Sequence, residues 1–546
     1  MRRRISILFV CLMMVATVFA VAVPTNVSAV GEYSEYFAGG SGTPEDPYQI
    51  SNVDELQNMH YDLTAHYILV NDIDASATSG WNSGAGFEPI GTFTGTFDGK
   101  GYKITNLYIN RPSTNYIGLF GITRSCIISG VGLEDLEGSG NNYVGGLVGA
   151  NWDGTLENCY ATGSVSGISC IVGGLVGVNS GSVENCYATD SVSGSCAVGG
   201  LVGEIAGNGA LNNCYATGDV SGTGAVGGLA GTHMWGSVEN CYATGSVSGN
   251  NDDVGGLIGY NFEGSVKNCY ATGSISGNNN VGGLVGDLRS DTWFIVWNCY
   301  ATGSVSGNNN VGGLVGINYD GWVENCYASG SVSGNYDVGG LVGWNGPGEW
   351  VYWGTVKNCY ATGSISGNVR VGGLVGRNSY GTLENCYATG SVSGSSAVGG
   401  FIGNNSGLIL SSYWDTETSG QSSSDGGIGK TTAEMKQQAT FVDWDFENIW
   451  RIIEDVTYPY LWWEIILPVD LIEEVEVMDL PVGIENSMVS ILEAAINSLE
   501  NGNDNVAVNQ LEALIFLIEA IRGKKLTDEE ADGLIAMAQW IIDNLS

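Results

Sequence analysis

Thirteen cysteines are the first residues that could carry chemistry. Nine of them recur inside Asn-Cys-Tyr triplets: Cys159, Cys186, Cys214, Cys241, Cys269, Cys299, Cys326, Cys359 and Cys386. Thiols at fixed spacing could bind a soft metal or pair as disulfides. A zinc-type site needs ligands in close pairs such as Cys-x-x-Cys, or histidines beside them. No Cys-x-x-Cys occurs and the only histidines are His60, His66 and His233, so neither a metal site nor a cofactor is expected. Cys170 and Cys196 each stand just ahead of a Val-Gly-Gly block and are the better disulfide candidates.

Acid–base catalysis on a polysaccharide needs a carboxylate pair or a basic proton abstractor in a cleft. Asp252 and Asp253 are adjacent, and Asp287 lies near Asp291, but these read as solvated turn carboxylates. Between 141 and 410 only Lys267, Arg289, Lys357, Arg370 and Arg377 are basic, and they occupy different repeat positions. The run Asn250-Asn251-Asp252-Asp253 could hold a structural calcium, since carboxylate oxygens suit hard cations. No catalytic residues are expected. The remaining candidates are aromatic: Trp152, Trp235, Trp293, Trp297, Trp322, Trp344, Trp350 and Trp353. All follow the Gly-Gly blocks, where repeat length varies, and insertions at one loop per repeat mark a binding face. Exposed rings beside Asp and Asn suit sugars, so a glycan or protein contact is expected there.

The elements that carry these residues are set by the repeat. Successive triplet cysteines are 27, 28, 27, 28, 30, 27, 33 and 27 residues apart, in phase with Val-Gly-Gly-Leu-Val-Gly blocks that recur ten times. Two or more glycines in every ten residues exclude helices there. Each unit reads as two or three short strands, such as 156–166 and 172–178. Period-two alternation places Cys159, Ala161 and Val165 on one face and Tyr160, Thr162, Ser164 and Ser166 on the other. So short a unit cannot enclose a core alone, whereas stacked units bury each other's apolar faces. The expected fold is all-β: a parallel β-solenoid of about twelve 27-residue coils, a rod about 55–60 Å long at ~4.8 Å per coil. The cysteines then form one inward column. Its Cα spacing suits disulfides while its parallel side-chain vectors do not, so free buried thiols are expected, against an exported setting that favours pairing. The Asn before each Cys should form an amide ladder at a corner, and the tyrosines an outward column.

The VGGLVG block followed by NCYATGSVSG resembles the GLUG motif repeats of secreted and surface-anchored proteins, some of them adhesin-like and some immunoglobulin-A-cleaving peptidases. The resemblance covers roughly 100–415 and implies a surface β-helix without implying catalysis. His-Glu-x-x-His is absent, so the peptidase activity does not transfer.

Composition adds location. Arg2, Arg3 and Arg4, an apolar run from Ile5 to Val23 and small residues to Ala29 form a signal peptide, 1–29, with a retained membrane anchor as the alternative. No later stretch is long enough to span a bilayer, so no transmembrane span is expected in the mature chain. A formal charge of −39 argues against nucleic acid as a partner. The expected organisation is an N-terminal cap at 30–101, the solenoid at 102–415, an aromatic C-terminal cap at 416–467, a linker at 468–485 and an acidic three-helix module at 486–546. The stretch from Leu511 to Ile542 resembles the FIMAH module of exported proteins. The functional expectation is a secreted or cell-surface protein, non-catalytic, adhering to a cell-envelope glycan or surface protein. A polysaccharide lyase or glycosidase and a passive spacer are the alternatives.

Overall fold

The computed structural model describes residues 33–290, 295–347, 354–464, 471, 472, 475, 478, 480–501 and 503–545. Residues 1–29, expected as a signal peptide, and Trp293, Trp350 and Trp353 lie outside them. Described residues 48–430 form a parallel β-solenoid with four faces. Sheet I has 14 strands, from Tyr48–Ile50 to Leu408–Leu410, and sheet III has 12, from Ile90–Phe93 to Ile402–Asn405. Sheet IV has nine, from Val172–Gly173 to Ser396–Gly399. Sheet II carries the Tyr-Ala and Ser-Val-Ser strands of every repeat and ends on Ile428–Lys430. Each strand pairs with its counterpart one coil on: Tyr215 lies over Tyr242, Val220 over Val247 and Val226 over Val254.

The two or three strands expected per unit are thus four, because sharp corners cut them. At Asn158 the chain takes a left-handed conformation (φ 53°), and so does every triplet asparagine through Asn385 (φ 52°). Asparagine tolerates this region because its short amide bonds locally. The corner resets the alternation, so Leu156 and Cys159 both point into the core, which strict period-two reading would forbid. The Val-Gly-Gly block turns likewise, burying both Val172 and Leu175. Its second glycine permits close approach. A Cβ on Gly283 would sit 1.9 Å from the Gly313 carbonyl oxygen and 2.9 Å from the Ala301 Cβ.

The ends differ from the coils. Residues 48–101, expected as a cap, are themselves degenerate coils: Tyr48–Ile50 pairs in parallel with Tyr67–Leu69, and His66–Ile68 with Thr96–Asp98. A larger core of Tyr48, Tyr67, Phe93, Phe97 and Phe120 fills them. The short helix Val53–Asn58 starts on Asn52, whose side chain accepts from the Glu55 amide at 3.0 Å. At the far end the triplet pattern Asn-Cys-Tyr-Ala becomes Ser411-Ser412-Tyr413-Trp414. Trp414 stands over Ala388 and fills the core beside Gly400. Beyond it Ser423 and Ser424 accept from the Gly400, Phe401 and Ile402 amides and Ile428–Lys430 pairs over Tyr413–Asp415, so the first part of the segment expected as a cap covers the last coil, while its aromatic part, 431–463, lies elsewhere. It lies along the flank of sheet II, where Trp444, Trp450 and Leu461 bury Tyr360, Tyr387 and Tyr413.

The C-terminal region includes the helices Val482–Glu500, Asp504–Ile521 and Asp528–Leu545, packed through Met488, Leu492, Leu511, Leu514, Leu534 and Ile541. Thr527 and Glu530 form the expected capping box, at 2.7 and 3.1 Å. The presumed linker is partly structural, since Leu471, Val475 and Leu480 are buried in the same cluster.

Replacing Gly283 by Ala should therefore destabilise the rod by about 3 kcal/mol or more, because the neighbouring contact is backbone and cannot rotate away. Gly101→Ala tests the opposite case: Gly101 has φ 81° and open space around its Cβ position, so only backbone strain of about 1 kcal/mol applies. Urea melts of both variants check the order.

Candidate functional site

Column by column, stacking decides what each residue can do. All nine triplet cysteines are buried and free. The Cys159 amide donates to the Cys186 sulfur at 3.3 Å, and the Cys186 thiol donates to the Glu184 carbonyl at 3.2 Å. The same pattern runs on through Cys214, Cys241 and Cys269. Burial pushes the thiols of Cys241, Cys269 and Cys299 well above their ordinary range, so they stay protonated and poorly nucleophilic. Cys170 and Cys196, on the outer surface one coil apart, are joined by a disulfide with Cα atoms 4.7 Å apart.

Two amide ladders run along the rod. The corner asparagines donate backward from Asn268 to Asn240 (3.2 Å) and from Asn358 to Asn325 (3.2 Å). The second ladder is fully buried in sheet III, and the sequence reading missed it. Asn318 donates to Asn345 at 2.8 Å, Asn345 to Asn378 at 2.9 Å and Asn378 to Asn405 at 2.9 Å, each also bonding a glycine carbonyl of its own coil or a neighbouring loop. Its signal was present in the recurring Asn two residues after the Val-Gly-Gly-Leu-Val-Gly block, as at Asn151, Asn179, Asn318 and Asn345. The ladder is interrupted where Ile205, His233 and Leu288 take the same register.

The tyrosines form an outward ladder of parallel rings from Tyr160 to Tyr387, with centroids 4.8–5.0 Å apart and planes within 9°. Such stacking turns ring edges and hydroxyls, rather than ring faces, to solvent. Trp463 lies beside Tyr300 and Tyr327 at 6.3 and 5.9 Å, while Tyr160 to Tyr270 are half-exposed. Next to them Ser-Val-Ser strands project two exposed serine columns with the valine inward.

The tryptophan candidates do not form one patch. Trp152 ends a sheet III strand, Trp235 sits at the turn between sheets III and I, and Trp297 and Trp322 lie on sheet I. Trp235 is 43% exposed, with its ring against Phe262 and its indole N–H donating to Glu263 at 3.0 Å. Trp344, on sheet III, carries the Arg377 guanidinium over its ring at 4.8 Å and packs on Tyr319.

The acid and base candidates are engaged by neighbours. Asp252 and Asp253 accept from Asn279 and Asn280, and burial, with a smaller contribution from Asp287, pushes Asp253 up to about 6. Asp287 accepts three hydrogen bonds from Arg289, at 3.0, 3.2 and 2.8 Å, and the guanidinium is flanked by Tyr260 and Tyr319. Lys267 pairs with Glu239, Lys357 with Glu384 and Arg370 with Asp337. Among the described residues no group of three His, Cys, Asp or Glu side chains could hold a metal ion.

The geometry defines a parallel β-solenoid repeat protein, and the comparisons place its repeats. Eight segments match the GLUG motif: 140–166, 169–193, 194–221, 222–248, 250–276, 307–333, 334–366 and 367–393. The chain carries GLUG motif repeats. It is 44% identical over 151 residues to halomucin of Haloquadratum walsbyi, an alignment covering 25% of this chain and 2% of halomucin. It is 40% identical over 137 residues to a protein of Evansella cellulosilytica provisionally described as a Gly-rich membrane protein, covering 23% of this chain and 15% of that one. The chain thus matches only a small part of either relative's length. A crystal structure provisionally described as an immunoglobulin A1 protease from Bacteroides ovatus aligns at 21% identity over 79% of this chain and 96% of that one. Its TM-score of 0.22 is too low to support an argument. Among the described residues no helix is long and apolar enough to cross a membrane.

Two departures from the repeat predict the pH response of stability. Asp190 occupies the glycine position of Ala-Thr-Gly-Ser and is 1% exposed, its carboxylate beside Gly174 and neither oxygen hydrogen-bonded. Burial pushes it from 3.8 up to about 7. His233, buried in the amide column beside Asn261 and Gly264, is pushed by burial from 6.5 down to about 4. A raised carboxyl binds more protons folded than unfolded, so its contribution is full below about pH 4 and lost as pH climbs to about 7. A depressed imidazole does the reverse: full above about pH 6.5 and lost as pH falls to about 4. Each is worth on the order of 3 kcal/mol and the two oppose each other. Asp190→Gly should give a rod more stable at pH 8 that weakens on acidification. His233→Asn should give one more stable at pH 4 that weakens as pH rises. Chemical melts at pH 4, 6 and 8 read both slopes.

Proposed function

We propose that this chain is an exported, surface-associated repeat protein whose rod makes non-catalytic adhesive contacts with envelope glycans or surface proteins. The observation that carries this reading is the division between the inside and outside of the coil. Inside, the chemistry-bearing thiols and amides are consumed by ladders. Outside, hydroxyls and tyrosine edges repeat coil after coil on a face open to solvent. The candidate carboxylates Asp253 and Asp287 are bonded to Asn280 and Arg289, an arrangement that favours structure over proton transfer. The names of the relatives, halomucin and a protein provisionally described as a Gly-rich membrane protein, agree with a surface location, as do the basic N-terminus and apolar run. The acidic C-terminal helices, which resemble FIMAH, serve either as a docking module or as a terminal domain. Tryptophans at the sheet III–sheet I corner, Trp235 foremost, supply secondary contacts.

The purified chain, fluorescently labelled, should bind whole cells or extracted envelope glycan. Incubated with pectic and other acidic glycans, it should release no new reducing ends and no unsaturated products. Turnover of any of these substrates would replace this reading with the enzymatic one. Absence of all binding would leave a passive spacer.

A further inference from the structure

Sheet II presents two hydroxyl columns of unusual regularity. One runs from Ser164 to Ser391 and the other from Ser166 to Ser393, with strand pairings that set Ser191 over Ser164, Ser221 over Ser193 and Ser248 over Ser221. Nine coils contribute, and in both columns the only residue that is not serine is Asp219. Between the columns an inward Val or Ile holds each strand down, as in Ser191-Val192-Ser193 and Ser331-Val332-Ser333. Over the four coils from Ser164 to Ser248 the surface is concave: Ser164, Ser193, Asp219, Ser221 and Ser248 are among the residues lining a shallow groove of about 380 Å³. Coil spacing is fixed by backbone pairing at the 4.8–5.0 Å seen in the tyrosine ladder beside it. Adjacent hydroxyls of the first column can bond each other, as Ser304 does to Ser274 at 3.2 Å and Ser391 to Ser364 at 3.0 Å, while Ser306 and Ser393 of the second bond backbone carbonyls of the neighbouring coil at 3.3 Å.

From this geometry we infer that the serine groove is a track for a neutral, extended polysaccharide chain, laid along the rod at about one sugar per coil. The inference rests on the contact function proposed above and assigns it to a face and a ligand class. Charge decides the class. In a chain of formal charge −39 the two columns hold a single carboxylate and no cation, so nothing there attracts an acidic polymer and the wider field repels one. Serine is both donor and acceptor, as is a sugar hydroxyl, so the pairing needs no charge. Concavity favours a single chain over a flat crystalline surface. Asp219, which accepts from the Ser246 amide at 3.0 Å, adds one strong acceptor for a sugar hydroxyl.

The test uses the full chain in affinity gel electrophoresis, with a soluble neutral β-glucan, a galactomannan and polygalacturonate as probes. At least one neutral polymer should retard the protein, with little change on added salt, and polygalacturonate should not. The variant Ser193→Ala/Ser221→Ala/Ser246→Ala/Ser248→Ala should bind at least fivefold more weakly, while the matching Ser→Thr variant, which keeps the hydroxyls, should retain binding. Circular dichroism confirms that both remain folded. Retardation by polygalacturonate alone, by neither neutral polymer, or equally in the Ala variant would overturn the track. Whole-cell binding of the same variants separates the two readings. If the Ala variant still binds cells as the parent does, the track falls and the surface-contact function stands. If the parent binds neither cells nor any glycan, both fall.

Discussion

The structure depends on one constraint: each coil hydrogen-bonds to the next in register, so every residue lies over its counterpart. Parallel pairing at a fixed spacing converts a one-dimensional repeat into columns. The columns are then judged by whether a side chain tolerates its own copy above and below. Small thiols, amides that donate one way and accept the other, and parallel phenol rings all do. Charges of one sign repel when stacked, and at several positions a charge is countered in the adjacent coil, as Arg370 is by Asp337 and Lys357 by Glu384, although Glu157 lies over Glu184 on the half-exposed face of sheet I. The close approach that allows this is set by glycine, since the second glycine of each block faces the backbone of the next one.

Exceptions to the repeat are therefore more informative than the repeat. Trp414 in place of alanine fills the core of the last full coil beneath the closing strand Ile428–Lys430, and Ser412 in place of cysteine still accepts from the Cys386 amide at 3.1 Å. Ile205 and Leu288 break the buried amide column without introducing charge, and Leu288, paired with Asn318, leaves the Asn318 side-chain carbonyl without the donor that other ladder asparagines have, a cost of about 1–3 kcal/mol. Asp190 and His233 introduce titratable groups where burial opposes ionisation of each. All these faults except Trp414 and Ser412 fall between 190 and 288, so the middle coils are weaker than their neighbours.

Much of this was legible in the residues. Phase-locked triplets and glycine blocks required stacking, and stacking required the cysteine and tyrosine columns. The alternation inside a coil was not legible, because it depends on left-handed corners at Asn158 and its counterparts, and asparagine also favours turns and ladders that leave alternation intact. The buried amide column was missed for a related reason: an asparagine after an apolar strand reads as a turn signal, and only the corner geometry brings Asn151 inside. The flank packing of Trp444 and Trp450 was misplaced because composition identifies a cap but not the surface it covers. The contact residues proposed above were the least legible. Tryptophans draw attention by size, yet they sit at different positions in different coils, whereas serines draw none and fall in perfect register.

That contrast bears on how such a rod can evolve a binding surface. A contact built from loop tryptophans is individual to each coil, and Trp235 and Trp344 already have partners in Phe262 and Arg377. A contact built from a column is multiplied by the number of coils, so weak single interactions add along a ligand that is itself periodic. Such a surface is insensitive to the loss of any one coil and sensitive to a change of register, which the backbone pairing prevents. The flank segment that buries Tyr360, Tyr387 and Tyr413 leaves the exposed serines of the same coils uncovered, Ser364, Ser366, Ser391 and Ser393 among them. The chain's own cap thus uses the aromatic column for packing and keeps the hydroxyl columns free along their length, which is the arrangement expected if the tyrosines stabilise the rod and the serines meet its partner.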